Sequence, residues 1–331
     1  MRFINWLDSL RTRARRTRRS SHCRRSPHEL TLRQFDVAPL TEQLEDRTLL
    51  TVDFAIAANA TISEAGGTAT FTVTLSGDAL TGGQTASVNL DESGSALSGT
   101  DYDDFDAAVS DAAAAESGVN LAGSTLTFDA TFNGNSGTGN FQFTVNALND
   151  TLVEGTQDIT ATLSSEVTNH PNGAAILTPT TSTDITDADS ATVAFQNAAG
   201  SAAESAGATN VTLVLTTVDN DGGTATLESG QSIDVTAANG TAADADYEGS
   251  SAFPKTVTFG AASSSGATQN TTLDPTADTL VEGDQTVNLG LAATGILTGS
   301  GQTSSTFTIT DDNTATVTVD AAQTLAEDGS A

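Results

Sequence analysis

The sequence predicts an all-β protein built from tandem antiparallel β-sandwiches behind a basic N-terminal segment. Three observations carry that expectation. Apolar residues alternate with threonine in short runs. Clusters of Gly, Asn, Asp and Ser separate those runs. A set of landmarks recurs in fixed order along the chain.

The 331 residues suit two or three domains, and their charge is sharply divided. Residues 1–50 hold eleven of the twelve Lys and Arg and six of the 42 acids, so Lys255 alone opposes the other 36. A body so acidic repels nucleic acid and anionic membranes and attracts cations, divalent ones above all. An acidic surface that only keeps the chain soluble would look the same. The single cysteine, Cys23, excludes intramolecular disulfides and cysteine-based zinc sites. No run of 18 apolar residues exists, so no transmembrane helix is expected.

The stretch "RTRARRTRRSSHCRR" (11–25) is too charged for a core and lacks the apolar run of an ordinary secretory signal. "LEDRTLL" (44–50) resembles the LEPR-XLL segment of large bacterial surface and secreted proteins, with Asp46 in the place of proline. That resemblance implies an exported protein whose head is a targeting region. A disordered leader is compatible with it.

From residue 51 the pattern has period two. "FTVTL" (71–75) sets Phe71, Val73 and Leu75 on one face and threonines on the other. "LTF" (126–128), "FQFTV" (141–145), "VTF" (257–259), "FTI" (307–309) and "VTV" (317–319) repeat the scheme, that of a half-buried strand. No long amphipathic helix is expected; "SDAAAAESG" (110–118) reads as a short helical turn or a loop. Glycine-rich "FNGNSGTGNF" (132–141) reads as a hairpin connection.

The landmarks align as follows. "ISEAGG" (62–67) answers to "AAESAG" (202–207) and "LAEDGS" (325–330), and "GTDY" (99–102) to "DADY" (244–247). "NDTLVEG" (149–155) answers to "ADTLVEG" (277–283), and "DITDAD" (184–189) to "TITDDN" (308–313). The units therefore run 51–189 and 190–313, with 314–331 opening a third; the chain reads as part of a longer array. Between the DY and DTLVEG landmarks the first copy is 17 residues longer, as one loop insertion would make it.

These landmarks resemble the Calx-β repeat over about residues 51–331. The resemblance implies a seven-stranded immunoglobulin-like sandwich with acidic residues at one end that bind calcium. Carried over position by position, the calcium ligands fall in the first unit on Glu64, Asp101, Asn149, Asp150, Glu154, Asp187 and Asp189. In the second they fall on Glu204, Asp246, Asp278, Glu282, Asp311 and Asn313. Ala277 stands in the place of Asn149, and Asn313 in that of Asp189, so the second site is expected to be the weaker.

The residues support a Ca²⁺ site on their own chemistry, since calcium takes about 6 to 8 oxygen ligands. Asp187 and Asp189, two apart in an extended segment, would point to one side. Asp150 and Glu154 bracket "TLV", so one acid would start a loop, the other close it, and Gly155 permit the turn. Asp, Asn and Gly are also the ordinary residues of β-turns, and a fold that keeps the turn without the ion remains open.

No catalytic motif is present: GxSxG, HExxH and the Walker lysine loop are missing. His22 and His28 lie in the head, and His170 stands alone in a turn. The acids could pair as in a glycosidase, but Trp6 is in the head, and Tyr102 and Tyr247 look like core or corner residues. The expectation is a non-catalytic, calcium-stiffened structural or adhesion module, extracellular or at the cell surface. A binding array for a surface protein or glycan, and an accessory region of a larger secreted enzyme, are the alternatives.

Overall fold

The computed structural model describes residues 50–135 and 139–320. The basic head and all of its LEPR-XLL-like segment except Leu50 lie outside these, as do residues 321–331 of the expected third repeat.

Alternation decides the architecture. In strand Thr68–Gly77, Ala69, Phe71, Val73 and Leu75 are buried and the threonines between them are only partly covered. Such a strand has one face to bury, which a second sheet packed against it supplies. The first sandwich has a sheet in the order Ala174–Thr178, Val52–Ala58, Thr68–Gly77, Asn140–Asn146. Facing it is a sheet in the order Thr61–Ser63, Thr180–Thr186, Gln157–Thr168, Thr85–Gly94, Thr125–Asp129, Val119–Ala122. The second sandwich sets Thr268–Leu273, Thr209–Val218, Ser190–Phe195 and Thr298–Gly299 against Ala199–Ala203, Ser304–Thr310, Gln285–Ala293, Gln231–Asn239 and Lys255–Phe259.

Within each sandwich the named strands pair antiparallel except where the unit begins and ends. Val52–Ala58 lies parallel to Ala174–Thr178, and Thr61–Ser63 parallel to Thr180–Thr186. The second sandwich repeats this with Ser190–Phe195 and Thr298–Gly299, and with Ala199–Ala203 and Ser304–Thr310. The opening segment of each unit thus serves both sheets in turn, which brings the "SEAGG" and "AESAG" corners beside the end of the unit's last strand.

Three expectations change. The 17-residue excess contains an 11-residue helix, Phe105–Ala115, longer than the turn expected at 110–118. Asp104 caps its start by accepting from the Ala107 N–H at 2.9 Å. Phe105, Val109 and Ala113 form its buried stripe. The Phe105 ring packs edge-on to Phe143 at 5.1 Å and to Phe71 at 5.7 Å. Residues 132–141 are not a hairpin connection, because the strands they join, Thr125–Asp129 and Asn140–Asn146, belong to opposite sheets. "VTV" (317–319) is not a strand; Val317 and Val319 are exposed, with no neighbouring strand to pair among the described residues. Tyr102 and Tyr247 are buried at equivalent places, donating to Glu92 Oε2 and Asn239 Oδ1.

The two sandwiches are joined by more than the chain. Leu152–Val153, from the middle of the first DTLVEG, pairs in parallel with Thr226–Leu227 of the second sandwich. Val153 is 2% exposed and is a member of the second sandwich's core. Gly155, at φ +85°, turns the chain away, and a Cβ there would stand 2.8 Å from Ile296 of the second sandwich.

Candidate metal centre

Most of the residues expected to be ligands sit together at one end of each sandwich. In the first, Glu64, Asp101, Asp150, Glu154 and Asp187 line one small cleft with Gln157, Gly155, Leu148 and Ile185. The cleft has room for about one water-sized sphere, 10 Å³. The second sandwich has its counterpart in Glu204, Asp246, Asp278, Glu282 and Asp311, with Gln285, Thr276, Gly283 and Ile309. Five of the seven positions expected in the first unit, and five of the six in the second, are brought together.

Backbone N–H groups fix the carboxylates. Glu64 accepts from Asp150 N at 2.9 Å and Ala188 N at 3.0 Å, tying the unit's first corner to its last. Asp187 Oδ2 accepts from Glu154 N at 2.8 Å and Gly155 N at 2.9 Å, and its Oδ1 from Asp189 N at 2.7 Å. Asp150 caps Leu152 N at 2.7 Å, and Asp101 accepts from Leu97 N at 2.6 Å. Asp311 repeats the pattern on Glu282, Gly283 and Asn313, Asp278 on Leu280, and Asp246 on Ala243. DTLVEG is therefore a loop with an acid at each end, as its spacing suggests; in the first copy the apolar pair between them meets the next unit, and in the second it is exposed.

The other expected ligands are placed differently. Asp187 and Asp189 do not face one side. The Asp187 side chain caps the Asp189 N–H and the chain bends at Ala188, so the segment is not extended. Asp189 turns to the next sandwich, where its Oδ1 accepts from Asn220 N at 2.9 Å. Asn149 also leaves the cleft and donates from Nδ2 to Asp221 Oδ2 at 2.9 Å. Asn313 instead turns into its own unit, donating to Glu204 Oε1 and to the Asp278 carbonyl. Sequence reasoning missed Gln157 and Gln285, although a Gln follows each DTLVEG at the same distance. It also missed Asp219 and Asp221.

The donor set fits a hard cation: oxygen throughout, mostly carboxylate. Gln157 Oε1, lining the first cleft, is buried without a hydrogen-bond partner while its Nε2 donates to Glu154 at 2.6 Å. The carboxylates line the cleft without closing on one point: among the described residues, no three Asp, Glu, His or Cys side chains are placed to hold a metal as they stand. Most are held instead by backbone N–H groups, while Glu154 and Glu282 accept from the side chains of Gln157 and Gln285 and Glu204 from that of Asn313.

Like charges confined together raise one another's pKa. Burial first, then Asp101, Glu228, Asp150 and Glu64, push the Glu154 carboxyl up to about 8. Glu64 is raised by burial and by Asp187 and Asp150, against the N–H groups of Ala188 and Asp150. Asp189 is raised by burial and by Asp219, Asp187 and Asp150, against the Asn220 N–H. Asp311 is lowered by the N–H groups of Gly283 and Asn313. In chelator, the folded state holds the Glu154 proton more tightly than the unfolded state does. The resulting stability is complete below 4.5 and is lost as pH rises through about 8. Melting temperature in chelator is expected to fall across that window, and the fall to be shallower in Glu154→Gln; parallel curves would show that Glu154 does not titrate there.

The fold and its loops define a tandem β-sandwich protein with carboxylate-rich loop ends. The Calx-beta domain family matches residues 49–117, 126–190 and 184–313, and the chain belongs to that family. The first two segments are the parts of the first sandwich on either side of 118–125, just past the inserted helix. Among solved structures, CBD12 from CALX1.2 is similar at 15% identity over 77% of this chain and 99% of that one, with a TM-score of 0.28. The calcium binding domain CBD12 of CALX1.1 is similar at 16% over 76% and 98%, TM-score 0.28. The apo-form Calx CBD1 domain is similar at 17% over 37% and 98%, TM-score 0.31. No curated protein matches significantly.

Proposed function

We propose that this chain is a non-catalytic, calcium-binding structural or adhesion module of an exported cell-surface or matrix protein, and that calcium stiffens the junction between its sandwiches. Family membership supports the calcium reading, together with the oxygen-only donor set. One observation carries the stiffening: the acid-lined loop of the first sandwich is the segment that inserts Val153 into the core of the second. Neutralising Glu154, Asp187 and Asp150 with a divalent cation relieves repulsion in the loop that makes the joint. The cell-surface role rests on the LEPR-XLL-like segment and the acidic body. His170 has a local role in this reading, its Nδ1 accepting from Asn172 N at 3.3 Å within a turn.

Calcium titration by calorimetry, with small-angle scattering in calcium and in chelator, tests the proposal. The expected results are uptake of calcium, tighter at the first unit than at the second, and a longer, less variable particle when it is bound. Uptake without any change in scattering would remove the stiffening; no uptake would remove the calcium reading.

A further inference from the structure

We propose that the first sandwich binds a lysine-bearing extended segment of a partner protein, which adds to the free edge of strand Asn140–Asn146 in the groove between that strand and helix Phe105–Ala115. The inference does not rest on the calcium reading, because the groove shares no residue with either acid-lined cleft.

Asn140–Asn146 is the last strand of its sheet. Asn146 turns both backbone groups outward: its carbonyl accepts from Asp103 N at 2.9 Å, and its N–H donates to Asp103 Oδ2 at 3.2 Å. Residues two apart on an antiparallel strand turn the same way, so Gln142 and Thr144 also present N–H and C=O outward. Among the described residues no neighbouring strand takes them. The edge has none of the usual guards, neither lysine nor proline nor a break in register. The other wall of the groove is the helix stripe of Asp104, Ala107, Ala108, Asp111 and Ala112, whose alanines keep it low. The groove measures about 490 Å³, room for several side chains and not for an ion alone.

The second sandwich shows what such an edge accepts. There Glu248 N donates to the Asp274 carbonyl at 2.9 Å, and Asp274 N donates to Glu248 Oε1 at 3.3 Å, the same pair of bonds that Asp103 makes with Asn146. Glu248 therefore answers to Asp103, and Thr272 to Thr144. Lys255 Nζ sits between the two, 2.6 Å from Glu248 Oε1 and 2.8 Å from the Thr272 carbonyl. The first sandwich has the matching carboxylate and carbonyl but no ammonium of its own, since Lys255 is the sole Lys or Arg after residue 50. Asp103 and Thr144 both line the groove, and Asp104 and Asp111 add to its negative charge. A strand entering here pairs its backbone with Gln142 and Thr144 and sets a lysine where the second sandwich has Lys255. The backbone pairing supplies affinity, and the ammonium between Asp103 and the Thr144 carbonyl selects the partner.

The test is binding of a synthetic peptide of alternating valine and lysine to the full chain in chelator, with a valine–glutamate peptide as its control. Asp103→Asn keeps an acceptor for the Asn146 N–H and removes the charge. Ala107→Tyr fills the groove from an exposed helix position. Asp91→Asn and Ser110→Tyr make the same changes at exposed positions outside it. The expected result is binding of the lysine peptide alone, about tenfold weaker in Asp103→Asn and in Ala107→Tyr and unchanged in the two controls. Amide hydrogen exchange on wild type is expected to slow at Gln142 and Thr144 when the peptide is bound, a readout that stands even if a variant fails to fold. No binding of the lysine peptide overturns the proposal. So does binding that Ala107→Tyr leaves unchanged, which would mean attraction to the acidic surface at large, or unaltered exchange at Gln142 and Thr144. None of these outcomes bears on the calcium clefts.

Discussion

Asp187→Ala is expected to abolish calcium uptake at the first cleft and to destabilise the first sandwich even in chelator. The Asp187 carboxylate accepts three backbone N–H groups, from Glu154, Gly155 and Asp189, and so holds the closing end of the DTLVEG loop to the end of the last strand. Removing it leaves three donors without their acceptor. One bond to a charged group is worth about 1.5–3 kcal/mol, and solvent recovers part of three, so the expected loss is about 3 kcal/mol. Asp187→Asn keeps an acceptor and should lose less stability while still weakening the ion. The second unit provides the comparison, since Asp311 makes the same three contacts on a more exposed loop. Asp311→Ala is expected to cost less, because water reaches the freed N–H groups. Melting in chelator and calcium titration of the three variants check this. Full calcium uptake by Asp187→Ala would mean that the first cleft is not the ion's position.

Much of this was legible in the residues. Period-two alternation in "FTVTL" and "FQFTV" leaves no other way to bury phenylalanine and valine, and both segments are strands with those residues inside. The acids of the two clefts were legible because two copies carry them at matching landmarks. The helix was not. Its buried stripe is Phe105, Val109 and Ala113 in a stretch otherwise of alanine, aspartate and serine, a pattern that a loop shares. The junction was hidden for another reason. Asp219, Asn220 and Asp221 stand in "VDNDGGTATL", a segment for which the first unit offers only the shorter "SGDALTGG". A comparison of repeats cannot single out a residue present in one copy, and Asp, Asn and Gly in a row announce a turn whatever else they do. The direction of Asp189 failed for a purely local cause: a side chain capping the backbone two residues on bends the segment that period-two reasoning takes as straight.

Val153→Asp and Val281→Asp are expected to differ widely although they alter the same position of the same six-residue motif. Val153 is 2% exposed and belongs to the core of the second sandwich, reached through the Leu152–Val153 and Thr226–Leu227 pairing. Val281 is 55% exposed and Leu280 is 57% exposed. An aspartate at 153 would either bury an unpaired charge beside Glu154 and Glu228 or pull the short strand out of the joint. Either course should cost about 3 kcal/mol or more, felt as a lower melting temperature of the second sandwich, in which the residue does not lie by sequence. At 281 the same change leaves a charge in water and should stay within about 0.5 kcal/mol. Loss of the joint should also widen the range of shapes seen by scattering in Val153→Asp, with calcium present, and leave Val281→Asp like wild type. The deciding factor is outside the motif. "DTLVEG" sets the loop and its two acids identically in both units, whereas burial of its apolar middle depends on a partner edge, which Thr226 and Leu227 supply to the first copy. Scanning calorimetry on both variants measures the difference. Equal melting would mean that Val153 is not part of the neighbouring core.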